Sequence, residues 1–385
     1  MNPSALALFP EVVDEPTLRP TGLLPSNRLQ ELVDAGHVRA DTPISPGQIQ
    51  PSSIDLRLGP VAYQVEASFL PNPHNTVERR LRDLAVSRID LTQPALLDRR
   101  KVYIVPLQEE LALPDHFSAK ANPKSSTGRL DVFTRLITDY GRTFEEVRAG
   151  YRGKLYAEVV PLTFQVIVHE GSRLNQLRVR YKNPAQWDKT LFDLHEQDPL
   201  VFSRDGSPVD AVILDGLRLS VDLAGAGDSA IVGYRAKNDA PPIDLARVNY
   251  YDPDGFWEPL SRNESRSIVL QPGAFYILMS KQRVKVPPHM AAEMLPFDPS
   301  VGEFRAHYAG FFDPGFGWST TGSAGSHAVL EVRSHEVPSL LEDGQEVCRL
   351  RYEYLLAPPA KLYGRDIGSS YQSQTLTLSK HFKQI

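Results

Sequence analysis

A repeat constrains this chain more than any other feature. Val102-Tyr103-Ile104 followed by Leu113-Pro114-Asp115-His116 returns, 173 residues later, as Phe275-Tyr276-Ile277 followed by Val286-Pro287-Pro288-His289. The same offset carries Ala119 to Ala292, Pro123 to Pro296, Glu158 to Glu331, Gly171 to Gly344 and Leu177 to Leu350 without a gap. Nine identities at one spacing point to a tandem duplication, whereas two loose matches would be chance. Upstream, Ser53-Ile54-Asp55-Leu56 has a looser echo in Ser220-Val221-Asp222-Leu223, at a different offset. The repeats are read as spanning 20–185 and 210–385, and the chain as two domains, 1–190 and 191–385. The stretch from Lys189 to Asp215 carries no functional signal.

Each repeat should be mostly β. Apolar and β-branched runs (Ser53 to Leu58, Val102 to Leu107, Leu155 to Val168, Ala274 to Met279, Ala328 to Val332) are punctuated by Pro, Gly and Asp. One helix opens the fold: Ser26 and Asn27 supply cap side chains, Leu29, Leu32 and Val33 form a stripe, and Gly36 closes it. With 385 residues there is enough chain for two self-sufficient cores.

Composition excludes several classes. Apolar runs such as Ala5 to Phe9 are too short for a membrane helix, and no basic leader opens the sequence, so the expected compartment is the cytoplasm. Cys348 alone rules out an internal disulfide and any site needing two thiolates. A net charge of −5 without a basic block argues against a nucleic-acid surface.

The densest polar cluster is Asn122-Pro123-Lys124-Ser125-Ser126-Thr127-Gly128-Arg129, whose hydroxyls, cations and close-approach glycine could cradle phosphate or form an ordinary polar turn. The second repeat has Phe297-Asp298-Pro299-Ser300-Val301-Gly302 in that place and has lost the cations. Glu158 and Glu331 each sit inside an apolar strand, where burial raises a carboxyl pKa toward the range useful for proton transfer, unless a cation such as Arg333 pairs with it. Asp313-Pro314-Gly315 marks a turn within Ala309 to Phe316, a hairpin able to read a planar base. Gly315 to Gly322 is glycine-rich, but no Lys follows the last Gly, so it is not a P-loop and reads as a long hairpin tip or, less favoured, a ligand loop. The histidines show no metal-ligand spacing, and no protein metal site is expected.

These residues resemble the dCTP deaminase family of the dUTPase-like superfamily, in tandem form. Lys124 to Arg129 is similar to the family's basic-Ser-Ser-x-x-Arg motif, and Gly153 to Glu158 and Ala328 to Glu331 to the strand ending in its catalytic Glu. Ala309 to Phe316 resembles the base-binding hairpin, and Tyr371-Gln372-Ser373-Gln374 the Tyr-Gln-x-Gln tail that closes over nucleotide. The resemblance implies two distorted β-barrels with few short helices, a homo-oligomer (a trimer or another ring), and hydrolysis of dCTP to dUTP and ammonia without zinc. It implies Glu331 or Glu158 as general base and acid, Ser125 and the Ala309 carbonyl as holders of the water, and Arg129 at the reacting centre or the phosphates. Lys124, Ser126, Asp313, Tyr371, Gln372 and Gln374 would bind nucleotide, with Mg²⁺ carried on the triphosphate. The copies look complementary, the first supplying phosphate grip and the second the base pocket and Glu331. Rival readings are a dUTPase or bifunctional dUMP-forming enzyme using Asp313 or Asp139 as base, and a non-catalytic nucleotide-binding regulator.

Overall fold

A computed structural model describes residues 19–182, 188–225, 230–296, 304–306, 310–318, 325–334, 336–365 and 375–384. The fold is mainly β, in two barrel-like halves. The strand Val102–Ala112 shows how sequence builds it: Tyr103, Val105, Leu107 and Leu111 alternate onto the core face. Glu109 shares that face because Arg57 pairs with it at 2.7 Å and Gln48 donates to it at 2.9 Å, so its burial is compensated.

The 173-residue spacing recurs in the hydrogen-bond register. Glu158 stands opposite Ile104, and Glu331 opposite Ile277. Asn175 pairs with Pro123, and Cys348 with Pro296. Leu97 pairs with Val166, and Leu270 with Ser339. Near the start of each half the spacing is 163: Val38 meets Leu111 as Val201 meets Val284, and the helix Ser26–Asp34 has a counterpart in Asp188–Gln197. That counterpart takes up the first third of the stretch that the sequence left unread.

Two expectations need correction. Gln176 pairs with Asp55 as Arg349 pairs with Arg218, so Arg218 stands where Asp55 does, and the echo at Ser220 to Leu223 is four residues out of register. The opening helix is capped at Pro25 without a side-chain hydrogen bond, since the Ser26 N–H donates to the Pro51 carbonyl at 2.9 Å. Gly36, at φ 74°, closes it as expected.

The halves pack head to tail. In the second half the sheet containing Ile231–Ala236, Phe275–Val284 and Ser326–Ser334 lays Tyr234, Phe275, Ile277 and Val329 into the first half's core. A short segment, Ile243–Asp244, adds a parallel strand to Val166–Val168 of the first half. The matching face of the first half, around Ile104 and Tyr156, is covered instead by its own helix Val77–Leu84 through Val77 and Leu81. This helix was not among the elements expected from the sequence. Its signal was present, with Thr76 accepting from the Arg79 N–H at 3.3 Å as N-cap and two apolar residues four apart.

Candidate active site

Lys124 to Arg129 folds as one tight turn, Ser125–Gly128, after the strand Phe117–Pro123. The Thr127 and Gly128 N–H groups donate to the Lys124 carbonyl at 2.8 and 3.0 Å, and the Asp131 N–H donates to the Gly128 carbonyl at 2.8 Å. Ser125 faces solvent, while Ser126 and Arg129 are buried. The Lys124 ammonium pairs with Asp55. In the second half this pair is gone on both sides, since Phe297 and Arg218 take those places.

Glu331 arrives from the other half, in the middle of the strand Ser326–Ser334. Its carboxylate lies so close to Gly128 that a Cβ built there would stand 2.8 Å from Cδ and 2.9 Å from Oε1, so a side chain at 128 would push the Glu331 carboxylate out of its place. Burial pushes the Glu331 pKa well above the usual carboxylate range, Arg129 opposes the shift, and Asp131 adds to it. A carboxyl whose proton affinity is raised by burial, with a guanidinium pulling the other way, is suited both to take and to return a proton.

Glu158, at the matching place in the first half, is engaged differently. Arg135, directly opposite on the strand Val132–Thr138, donates to its Oε1 from Nε at 3.0 Å and from Nη2 at 2.6 Å. The Arg135 guanidinium lies over the Phe144 ring at 3.4 Å. The cation that pairs with a strand glutamate is therefore Arg135, while Arg333 binds Asp131 and the Thr163 hydroxyl instead.

The Asp313-Pro314-Gly315 hairpin is a turn, with the Phe316 N–H donating to the Asp313 carbonyl at 3.0 Å and Gly315 at φ 94°. The Asp313 carboxylate accepts from the Ser52 hydroxyl at 2.7 Å and from Arg178 at 3.4 Å. Arg178, fully buried in the first half, also donates to the Ala292 and Phe312 carbonyls at 2.8 and 2.9 Å and lies 4.0 Å from the Phe311 ring. It thus ties the second half's hairpin to the first half's barrel. Ala309, Tyr371, Gln372 and Gln374 lie outside the described residues.

Beside the turn opens a polar cavity of about 320 Å³, lined by Lys124, Ser126, Arg173 and Lys380 among others. Burial lowers the Lys380 pKa, as do Lys124 and Arg173, while Asp55 opposes them. Lys380 comes from the chain's end, where the Ser379 hydroxyl donates to the Ser126 carbonyl at 2.9 Å and Arg129 donates to the Thr377 carbonyl at 2.8 Å. Gly128 was singled out in the sequence as a close-approach glycine, whereas Asp131, Arg173, Arg178, Arg333 and Lys380 were not read as site residues. Of these, Asp131 and Arg333 carried a signal, each two positions beyond a residue already singled out.

Both halves of the chain match known proteins. Residues 20–183 match the N-terminal domain, and 187–382 the C-terminal domain, of 2'-deoxycytidine 5'-triphosphate deaminase. A crystal structure of 2'-deoxycytidine 5'-triphosphate deaminase from Agrobacterium tumefaciens is similar over 88% of this chain and 100% of its own, at 47% identity and a TM-score of 0.83. A Streptomyces avermitilis protein named "dCTP deaminase, dUMP-forming" is 29% identical over 43% of this chain and 83% of its own length. One of the same name from Persephonella marina is 27% identical over 43% of this chain and 87% of its own. With both halves matched and nearly the whole fold shared, this protein, built of dUTPase-like β domains, belongs to the 2'-deoxycytidine 5'-triphosphate deaminase family.

Proposed function

We propose that this protein hydrolyses dCTP to dUTP and ammonia, with Glu331 as general base and acid at a single centre built by both halves, which are diverged copies dividing near residue 190. Glu331 takes a proton from a water, the water oxygen bonds to C4 of the cytosine ring, and N3 receives the proton. Glu331 then takes the second proton, from the C4 hydroxyl so formed, and passes it to the amine; the C4–N bond breaks, ammonia leaves and the uracil carbonyl remains. Ser125 and the Ala309 carbonyl would hold the water, and Arg129 would steady negative charge developing on the ring. The hairpin would present the base. The cavity between Lys124, Ser126, Arg173 and Lys380 would grip the phosphates. Tyr371, Gln372 and Gln374 would close over them. Among the described residues no three His, Cys, Asp or Glu gather into a metal cage, so Mg²⁺ would be held by the triphosphate oxygens. No helix among the described residues is long and apolar enough to cross a membrane.

The observation that carries this reading is the burial of Glu331 of one half against Gly128 and Arg129 of the other, in one chain. The relatives named dUMP-forming keep a second reading in play, in which the α-phosphate is hydrolysed as well. That step needs a carboxylate base near the nucleotide. Asp313 is already engaged by Arg178 and Ser52, and Asp139 accepts from the Val77 N–H at 2.7 Å, beneath the covering helix. Both favour dUTP as product. The test is to follow ammonia and pyrophosphate release from dCTP together. Ammonia alone supports the deaminase, stoichiometric pyrophosphate supports the bifunctional enzyme, and nucleotide binding without either product supports a non-catalytic regulator.

A further inference from the structure

Behind Glu331 lies a buried polar network that joins the halves and that the proposed chemistry does not use. Asp131, fully buried with φ 56°, accepts at Oδ2 from the Thr163 hydroxyl at 2.5 Å and pairs with Arg333. Arg333 Nη2 also donates to Thr163 Oγ1 at 2.8 Å, and Nη1 donates to the Gly273 carbonyl at 2.5 Å. The spacing gives this network its meaning. Asp131 lies two residues beyond Arg129, and its own N–H closes the motif turn on the Gly128 carbonyl. Arg333 lies two residues beyond Glu331 on the same strand, hence on the same face. Two contacts, Glu331 on Gly128 and Arg333 on Asp131, therefore run side by side across the join, the second fixing the register of the first.

We propose that Asp131 and Arg333 are a positioning pair for the reaction: their ion pair sets the distance and angle at which the Glu331 carboxylate meets the motif turn and Arg129. The inference rests on Glu331 being the catalytic carboxylate. A plain fold-stabilising bridge could sit anywhere along the join, but this one is anchored to the two segments whose relative placement decides the chemistry. A misplacement of about 1 Å at such a point costs on the order of 100-fold in rate.

The test compares Asp131→Asn, Arg333→Met and their double variant with Glu331→Gln, in the full-length protein with dCTP. Asp131→Asn and Arg333→Met should each lower kcat by roughly 10- to 100-fold while KM stays within about twofold, because nucleotide binding is left in place. The double variant should be no slower than the worse single one, as for two groups acting as one unit. Thr163→Val, which keeps the ion pair and loses only its hydroxyl bonds, guards against a folding failure in the others. It should lower kcat by a few-fold at unchanged KM. A wild-type kcat in Asp131→Asn or in Thr163→Val, or losses that add in the double variant, overturns the positioning role. If Glu331→Gln itself stays active, the catalytic reading falls first; if Glu331→Gln is dead while Asp131→Asn is as fast as the parent, only the present inference falls.

Discussion

Lys120 and Glu293 hold the same place in the two halves, 173 residues apart, and form an ion pair at 2.6 Å. Arg180 and Glu353, also 173 apart, do the same at 3.1 Å. Equivalent residues of two copies touch only where the axis relating the copies passes close by, so these pairs mark that axis. The two positions carry cations in the first half and anions in the second. Two identical halves set about this axis would oppose like charges there, whereas the first and second halves attract.

Reversing one of these charges should therefore separate the halves electrostatically. Lys120→Glu would place two carboxylates together at a position where Glu293 is almost fully buried, and should lower stability by about 3–5 kcal/mol. Replacing both residues by Met should cost far less, since an apolar pair leaves no stranded charge. Urea midpoints of the two variants check this, and equal losses would show that the ion pair lies outside the joining contact.

The proton affinity of Glu331 makes a prediction for stability as well as for rate. Its pKa is raised in the folded state, so above the unfolded value of about 4.3 the native protein binds more protons than the unfolded chain, and stability declines as pH rises through the folded value. Glu331→Gln abolishes this loss. The variant should be inactive yet more resistant to urea than the parent at pH 8, with the advantage vanishing below about pH 4. Glu145, pushed up to about 8 by burial, titrates in both proteins and cancels in the comparison. Glu158→Gln is the control: it should keep the parent's kcat and lose stability, because Arg135 loses its charged partner.

Substrate grip should depend on residues that the family motifs do not name. Lys380→Ala and Arg173→Ala should each raise the KM for dCTP by about 10-fold with a smaller change in kcat, as expected for loss of a charge-assisted contact to phosphate. The effect should shrink for deoxycytidine without phosphates. A uniform loss for both substrates would move these cations out of the phosphate site.

Much of this was legible in the sequence because a repeat exposes its own register: the offset that aligned Glu158 with Glu331 also aligned their hydrogen-bonded neighbours. The segment Phe297 to Gly302, which in sequence has lost the cations, lies outside the described residues. The different surroundings of Glu158 and Glu331 were not legible, because their partners, Arg135 and Gly128, are brought up by strand pairing and by the join rather than by local sequence. Asp55 was missed for a related reason. Its echo at Asp222 looked better by residue type than Arg218, which only the ladder identifies as its counterpart. Asp313 reads as a ligand residue in its motif, yet its carboxylate meets an arginine 135 positions earlier in the chain.

The helix Val77–Leu84 also bears on how the molecule avoids aggregation. Head-to-tail contacts between like units extend into rings or fibres unless an end is blunted. Here Val77 and Leu81 occupy the apolar face by which another barrel would otherwise dock onto the first half, and Glu78 and Arg82 turn a charged side outward. Stacking through that face ends after two barrels, much as a terminal cap ends a solenoid.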